Sequence, residues 1–222
     1  MQRLIEGYKQ FRQHILPRRT PLFQKLATAQ HPQTLLITCS DSRVVPDLIT
    51  QTDPGELFIC RNAGNMVPPY GEVHGGVSAT IEYAVLALNV EHIIVCGHSD
   101  CGAMRGVLHP EKLGDMPTVQ SWLRNADSAR RTVIENYPPL TEEQHLRALT
   151  EENVLSQLDH LRTHPSVAAR LSRGSIQVAG WVYEIRTGEI RSYDAAQQRF
   201  APLDAKTAPG ALPRPRLQPL AS

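Results

Sequence analysis

The chain has 222 residues, 41% of them hydrophobic, and its 23 lysines and arginines nearly balance its 22 aspartates and glutamates. This near-neutrality argues against a nucleic-acid-binding module, which needs an excess or a cluster of positive charge. No apolar stretch approaches the roughly 18 to 20 residues of a membrane-spanning helix, and the charged N-terminus does not resemble a signal peptide. We therefore expect a cytoplasmic protein with neither a nucleic-acid nor a membrane partner.

The first 30 residues are predicted to form an N-terminal helical arm. Apolar residues recur there at helical spacing, namely Leu4, Ile5, Tyr8, Phe11 and Ile15. Pro17 and Pro21 interrupt this pattern before a further helical turn begins. At the other end, five prolines after residue 200 indicate an irregular tail over residues 201–222. We expect residues 1–200, including the arm, to form a single α/β domain.

Short apolar runs bounded by polar residues, glycine or proline predict doubly covered strands of a parallel sheet. They lie at residues 35–39, 57–60, 93–96 and 176–183, and residues 190–193 can return as an antiparallel edge strand. Helices are predicted at residues 76–89, 117–131 and 141–164, the last with a capping-box pattern. The fold class is therefore α/β, with a central, mostly parallel β-sheet of four strands plus an antiparallel edge strand, flanked by helices.

The predicted helix at residues 76–89 is apolar on nearly all sides. One of its faces carries Tyr83 and Leu86, and another carries Ile81 and Val85. A helix that is apolar all round requires burial on all sides, and one face of a sheet covers only one of these stripes. A second subunit is the simplest additional cover, so we expect a homodimer or a dimer-based higher oligomer.

Three possible metal ligands lie directly after predicted strands. Cys39 ends the first strand, and His98 and Cys101 follow the third. Parallel strands present their carboxyl ends at the same edge of a sheet, and two thiolates with one imidazole suit a zinc ion that keeps one position open for water. Spacing alone leaves the alternative that these residues only pack in the core, as we expect for Cys60 and Cys96 inside their strands.

Four segments in order resemble the β-class carbonic anhydrases: CSDSR (residues 39–43), RNAGN (61–65), GGVSA (75–79) and GHSDCG (97–102). The chain up to about residue 200 resembles in particular the bacterial members associated with cyanate metabolism. The resemblance implies one Zn²⁺ per subunit and reversible hydration of carbon dioxide to bicarbonate and a proton, with a zinc-bound hydroxide as nucleophile. It also implies a dimeric building block.

Carried over position by position, Cys39, His98 and Cys101 match the zinc ligands of the family, and Asp41 and Arg43 match its catalytic dyad. The substrate-pocket positions, whose aromatic wall comes partly from the neighbouring subunit, are Gln30, Phe58, Ala63, Tyr83 and Gly102. Ala63 stands where many members have valine. Leu36 stands where the bicarbonate-inhibited subtype has tryptophan, which favours the open-site type I.

Two alternatives to carbonic anhydrase activity remain open on the sequence. One is hydrolysis of carbonyl sulfide or carbon disulfide by the same kind of zinc site, since pocket shape decides between these substrates. The other is a zinc-binding regulator that has lost turnover. Asp41 and Arg43 beside an open metal position argue against the regulator, because a structural zinc prefers four protein ligands.

Overall fold

The computed structural model describes residues 1–71 and 75–203. The chain forms two compact units, Met1–His31 and a larger unit that begins at Pro32. The smaller unit is helical from residue 2 to residue 26: α1 (Gln2–Gln10), a π-helical turn (Phe11–Ile15), a 3₁₀ turn (Leu16–Arg19) and α2 (Thr20–Leu26). Pro17 and Pro21 are the second residues of the last two segments, in the first turn, where a missing N–H costs nothing. The predicted helical arm is therefore confirmed.

The larger unit contains a six-stranded sheet in the order β2-β1-β3-β4-β5-β6. Its strands are β1 (Thr34–Cys39), β2 (Leu57–Asn62), β3 (His92–His98), β4 (Gln177–Tyr183), β5 (Ile190–Asp194) and β6 (Arg199–Pro202). The first four are parallel to one another, and the last two add antiparallel pairs. This arrangement confirms the α/β class and the four predicted parallel strands.

The sheet has a sixth strand that was not predicted. β5 is not the edge of the sheet, because β6 pairs with its outer side and places Pro202 opposite Arg191. Proline lacks an N–H but is tolerated in an edge strand, which needs donors on one side only. The strand thus extends into the first residues of the expected irregular tail, and residues 204–222 lie outside the described part of the chain. The assignment of residues 1–200 to a single domain stays a prediction.

Seven helices accompany the sheet in the described part of the larger unit. They are α3 (Pro46–Thr50), α4 (Gly76–Leu86), α5 (Gly102–Leu108), α6 (Pro117–Leu123), α7 (Asp127–Asn136), α8 (Glu142–Thr163) and α9 (Pro165–Ser172). The capping box is confirmed, with Thr141 and Gln144 bonded reciprocally at the start of α8. No helix among residues 1–71 and 75–203 has the length and apolar character needed to cross a bilayer.

The single helix predicted over residues 117–131 is wrong. A 3₁₀ turn (Arg124–Ala126) separates α6 from α7. Asn125 donates from its side chain to the carbonyl oxygen of Trp122 at 2.8 Å, and its own carbonyl accepts from Gln157 Nε2 at 2.9 Å. Because Gln157 belongs to α8, a contact between distant segments helps to fix this break.

Helix α8 packs directly on the sheet because two strand positions lack side chains. A Cβ at Gly97 or Gly180 would lie only 2.9 or 2.8 Å from a methyl group of Val154. The close approach forms the main core, where Val154, Leu158 and Leu161 are fully or almost fully buried against the sheet. Nearer the start of α8, Leu146 and Leu149 belong to a second core cluster that also contains Cys39 and Cys101.

Candidate metal centre

Three elements bring the predicted ligands together at the carboxyl edge of the sheet. β1 and β3 are neighbouring parallel strands with Thr38 opposite Cys96, so Cys39 and His98 end at the same edge. Asp100, at a φ of +55°, turns the chain after β3 and places Cys101 immediately before α5. This edge is where open α/β sheets bind ligands.

The ligand atoms have the spacing of a zinc site. The Sγ atoms of Cys39 and Cys101 are 4.0 Å apart, and one ligand atom from each of Cys39, His98 and Cys101 lies within 4.8 Å of the others. A tetrahedron with Zn–S bonds of about 2.3 Å has an edge of about 3.8 Å. All three residues are buried, and the separation of the two sulfur atoms matches a shared metal.

His98 has the orientation of a metal ligand. Its Nδ1 lies 2.8 Å from the carbonyl oxygen of Ser99, which accepts only if Nδ1 carries the proton. Nε2 is then left with its lone pair, and it is buried without a hydrogen-bond partner among the described residues. A buried polar atom without a partner costs about 1 to 3 kcal/mol. A metal ion at Nε2 removes this cost, and the bond at Nδ1 sets the ring orientation.

The two thiols also favour a divalent cation. With the Cys101 thiol as donor, the hydrogen bond between the sulfurs lowers the pKa of Cys39 and raises the pKa of Cys101 far above its ordinary value. Two thiolates at this distance repel each other unless a cation lies between them, and soft sulfur ligands with imidazole suit Zn²⁺. The residues therefore fit zinc. Burial instead raises the pKa values of Cys60 and Cys96, as expected for thiols in the core.

Asp41 and Arg43 form a tight ion pair beside the ligands. Arg43 Nε donates to Asp41 Oδ1 at 3.0 Å, and an Nη atom donates to Oδ2 at 2.8 Å. These bonds hold the pKa of Asp41 well below its usual range. Asp41 Oδ2 lies 3.9 Å from Nε2 of His98, so the carboxylate faces the metal ligands.

Charged residues that received no individual role from the sequence hold this pair in place. Asp100 accepts from Arg43 through both a carboxylate oxygen, at 3.0 Å, and its carbonyl oxygen, at 3.1 Å. On its other side Asp100 accepts from Arg105, and Arg61 donates to the carbonyl oxygens of Cys39 and Asp41 at 3.0 and 2.7 Å. The sequence could have pointed to these residues, because Arg61 and Asp100 lie inside the recognised motifs and Arg105 lies just after one of them.

The predicted pocket residues are only partly gathered around the metal site of this chain. Gly102 follows Cys101 directly. Phe58 and Tyr83 contact each other with ring centroids 6.0 Å apart, but Phe58 pairs with Leu35. That register is four residues before Cys39, or about 13 Å at about 3.3 Å per residue. The aromatic pair therefore does not line the metal site of its own chain.

The other two pocket positions are exposed residues. Ala63 follows β2, and Gln30 belongs to the smaller N-terminal unit. Neither the substrate-pocket roles of these residues nor those of the aromatic pair follow from the geometry of one chain. They stay predictions.

Comparison with known proteins agrees with this geometry. A family model described as "Carbonic anhydrase" matches residues 34–190. The carbonic anhydrase of Synechococcus elongatus is 50% identical over 191 residues, which are 86% of this chain and 70% of the relative. That of Pseudomonas aeruginosa is 49% identical over 203 residues, or 91% and 92% of the two chains.

Solved structures show the same similarity. The structure of the β-carbonic anhydrase CcaA matches with a TM-score of 0.91 and 45% identity over 93% of both chains. A tetrameric β-carbonic anhydrase of Sordaria macrospora matches with a TM-score of 0.78 and 29% identity, over 86% of this chain and 95% of that one. Together with the Cys39, His98 and Cys101 zinc site, these similarities show that the chain belongs to the β-class carbonic anhydrases, enzymes that hydrate carbon dioxide.

Proposed function

We propose that this carbonic anhydrase is an open-site, type I enzyme in which Asp41 and Arg43 are the catalytic dyad. The observation that carries the proposal is the paired geometry of the dyad, since Arg43 donates to both carboxylate oxygens of Asp41. If Asp41 bound the metal itself, it would lose both hydrogen bonds from the side chain of Arg43. Leu36, at 4% exposure, also occupies the position where the bicarbonate-inhibited subtype has tryptophan.

The dyad orients the nucleophile in this proposal. When bound, zinc lowers the pKa of a coordinated water towards about 7 and so supplies the nucleophile at neutral pH. Asp41 Oδ2 accepts one hydrogen bond from Arg43 and has a further lone pair with which to accept a hydrogen bond from the nucleophile. Arg43 keeps Asp41 ionised, so the carboxylate acts as an acceptor only. Asp100 in turn holds Arg43 from the other side.

The pH dependence of hydration tests the open-site assignment. Because Arg43 lowers the pKa of Asp41, this carboxylate stays ionised and paired throughout the neutral range. We expect only the coordinated water to titrate in this range. Activity should therefore decrease gradually, with the slope of a single ionisation, as the pH falls to and below neutrality. Stopped-flow hydration rates between mildly acidic and alkaline pH measure this slope. A steep, cooperative loss on the alkaline side of neutrality would contradict the assignment.

A second copy of the chain completes the substrate pocket. Tyr83 and Leu86 of α4 are 51% and 66% exposed in the single chain, and α1 has no buried residue. These apolar surfaces, and the distance of the Phe58–Tyr83 pair from its own metal site, support a homodimer in which the pair faces the site of the partner. The Sordaria macrospora relative, which is tetrameric, supports a dimer-based assembly.

Leu86→Glu tests this assembly. The substitution should release subunits of 24.7 kDa, because a buried unpaired carboxylate at the interface costs several kcal/mol. Hydration per subunit should fall as well, since each pocket loses its partner residues. Light scattering after size-exclusion chromatography measures the mass, and Ile134→Glu on the exposed face of α7 is the control. An unchanged mass for the Leu86 variant would refute the role of α4.

The setting of the reaction follows from the remaining observations. The four cysteines are free thiols, and two of them must stay reduced to bind zinc, which supports a location in the reducing cytoplasm.

The resemblance to bacterial members associated with cyanate metabolism supports bicarbonate supply for that process, and growth of a deletion strain on cyanate tests it. The named relatives support carbon dioxide rather than its sulfur analogues as substrate, and no observation favours a regulator without turnover.

A further inference from the structure

One peptide unit connects an indole N–H to the sulfur of a zinc ligand. The N–H of Gly64 donates to Cys39 Sγ at 3.4 Å, and the carbonyl oxygen of the same peptide unit, that of Ala63, accepts from Trp122 Nε1 at 2.8 Å. Gly64 is buried with a φ of +81°, and a Cβ there would lie 2.9 Å from the terminal methyl carbon of Met66. The backbone is therefore held in a conformation that glycine alone adopts without strain.

Buried side chains of α8 hold the peptide that follows. Asn153 donates to the carbonyl oxygen of Gly64 at 3.1 Å and accepts from Gln157 at 2.9 Å. Gln157 also accepts from the N–H of Val67 at 2.7 Å. Asn153 and Gln157 are 1% and 0% exposed, so these bonds form away from competing water. The N–H of Gly64 is thus aimed at Cys39 by contacts on both sides of it.

We propose that Trp122 is a positioning residue for the zinc site, which acts through the Ala63–Gly64 peptide to strengthen the hydrogen bond from Gly64 to the sulfur of Cys39. A hydrogen bond to a peptide carbonyl polarises the N–H of the same unit, which strengthens the bond that this N–H donates by about 10 to 30%. An N–H bond to a thiolate withdraws electron density from sulfur, and such outer partners tune metal ligands. The inference rests on the zinc site alone and not on the proposed role of Asp41.

Cobalt substitution reads out the electron density on sulfur without any turnover. Co²⁺ takes the place of Zn²⁺ at sites of nitrogen and sulfur ligands and gives a thiolate-to-metal charge-transfer band. Trp122→Phe keeps an aromatic ring but removes the donor. We expect its band to shift to lower energy, because the sulfur orbitals rise when the N–H bond weakens. Trp181→Phe is the matched control, since this exchange in β4 leaves the bond between Trp122 and Ala63 in place, and its band should not move.

A second substitution tests the same inference if the Trp122→Phe protein does not fold. In the Trp181→Phe background, Trp122 is the only tryptophan, so it can be replaced by 3-benzothienylalanine, an isostere with sulfur in place of the N–H. This protein should show the same shift to lower energy. A band at the wild-type position in a fully cobalt-loaded protein that lacks the indole N–H overturns the inference. Loss of hydration activity with an unchanged band would also count against it, while leaving the zinc site and the dyad untouched.

Discussion

Cys39→Ser should release zinc and lower the rate of carbon dioxide hydration by about 1,000-fold or more, because the pKa of water returns from about 7 towards 15.7 without the metal. Serine places a neutral hydroxyl where the site needs a thiolate, and only His98 and Cys101 would remain as ligands. Metal content of the purified protein and stopped-flow hydration measure the two effects. Both should fall together.

The matched control for this variant is Cys60→Ser. Cys60 is also buried in a strand of the sheet, at 8% exposure, but it is not part of the ligand cluster. The exchange should lower thermal stability, since it buries a hydroxyl, and should retain one zinc per subunit. A Cys39→Ser protein with the zinc content and affinity of the wild type would contradict the ligand assignment.

Asp41→Asn should retain zinc and lower the hydration rate by about 100-fold, the loss expected when a reacting group is misplaced by about 1 Å. Asparagine has nearly the same shape, so the fold and the three ligands remain. Its amide cannot serve as a charged acceptor, and the ion pair with Arg43 is lost. Hydration rates normalised to measured zinc content isolate this effect from loss of metal.

Asp100→Asn is the control that distinguishes the acceptor role of Asp41 from the mere loss of a negative charge beside Arg43. It removes a carboxylate that also contacts Arg43, but the backbone contact from Arg43 to the Asp100 carbonyl oxygen stays. We expect a loss of activity at least tenfold smaller than for Asp41→Asn, because the Arg43–Asp100 pair is exposed and screened by solvent, and Asp41 keeps both of its own bonds to Arg43. Near wild-type hydration by zinc-loaded Asp41→Asn would show that Asp41 is not the acceptor.

Local patterns in the sequence identified most of the fold that surrounds the site. Apolar runs predicted four parallel strands because both faces of such strands are buried, and Thr141 with Gln144 marked the start of α8. The break between α6 and α7 was missed because one contact that fixes it is a hydrogen bond donated by Gln157, more than 30 residues away, to the carbonyl oxygen of Asn125. β6 was missed because prolines near residue 200 indicated irregular chain, although one of them tolerates an edge position.

The sequence by itself determined the donor set of the site, since Cys39, His98 and Cys101 follow predicted strands and lie in motifs of one family. Only the tertiary structure decided that a ligand atom of His98 comes within 4.8 Å of the two sulfurs, and that the metal site lies far from Phe58 and Tyr83 of its own chain. The physical reason is that residue patterns report local periodicity and burial. Contacts across 58 or more residues depend instead on strand order, on register and on which helix face packs against them.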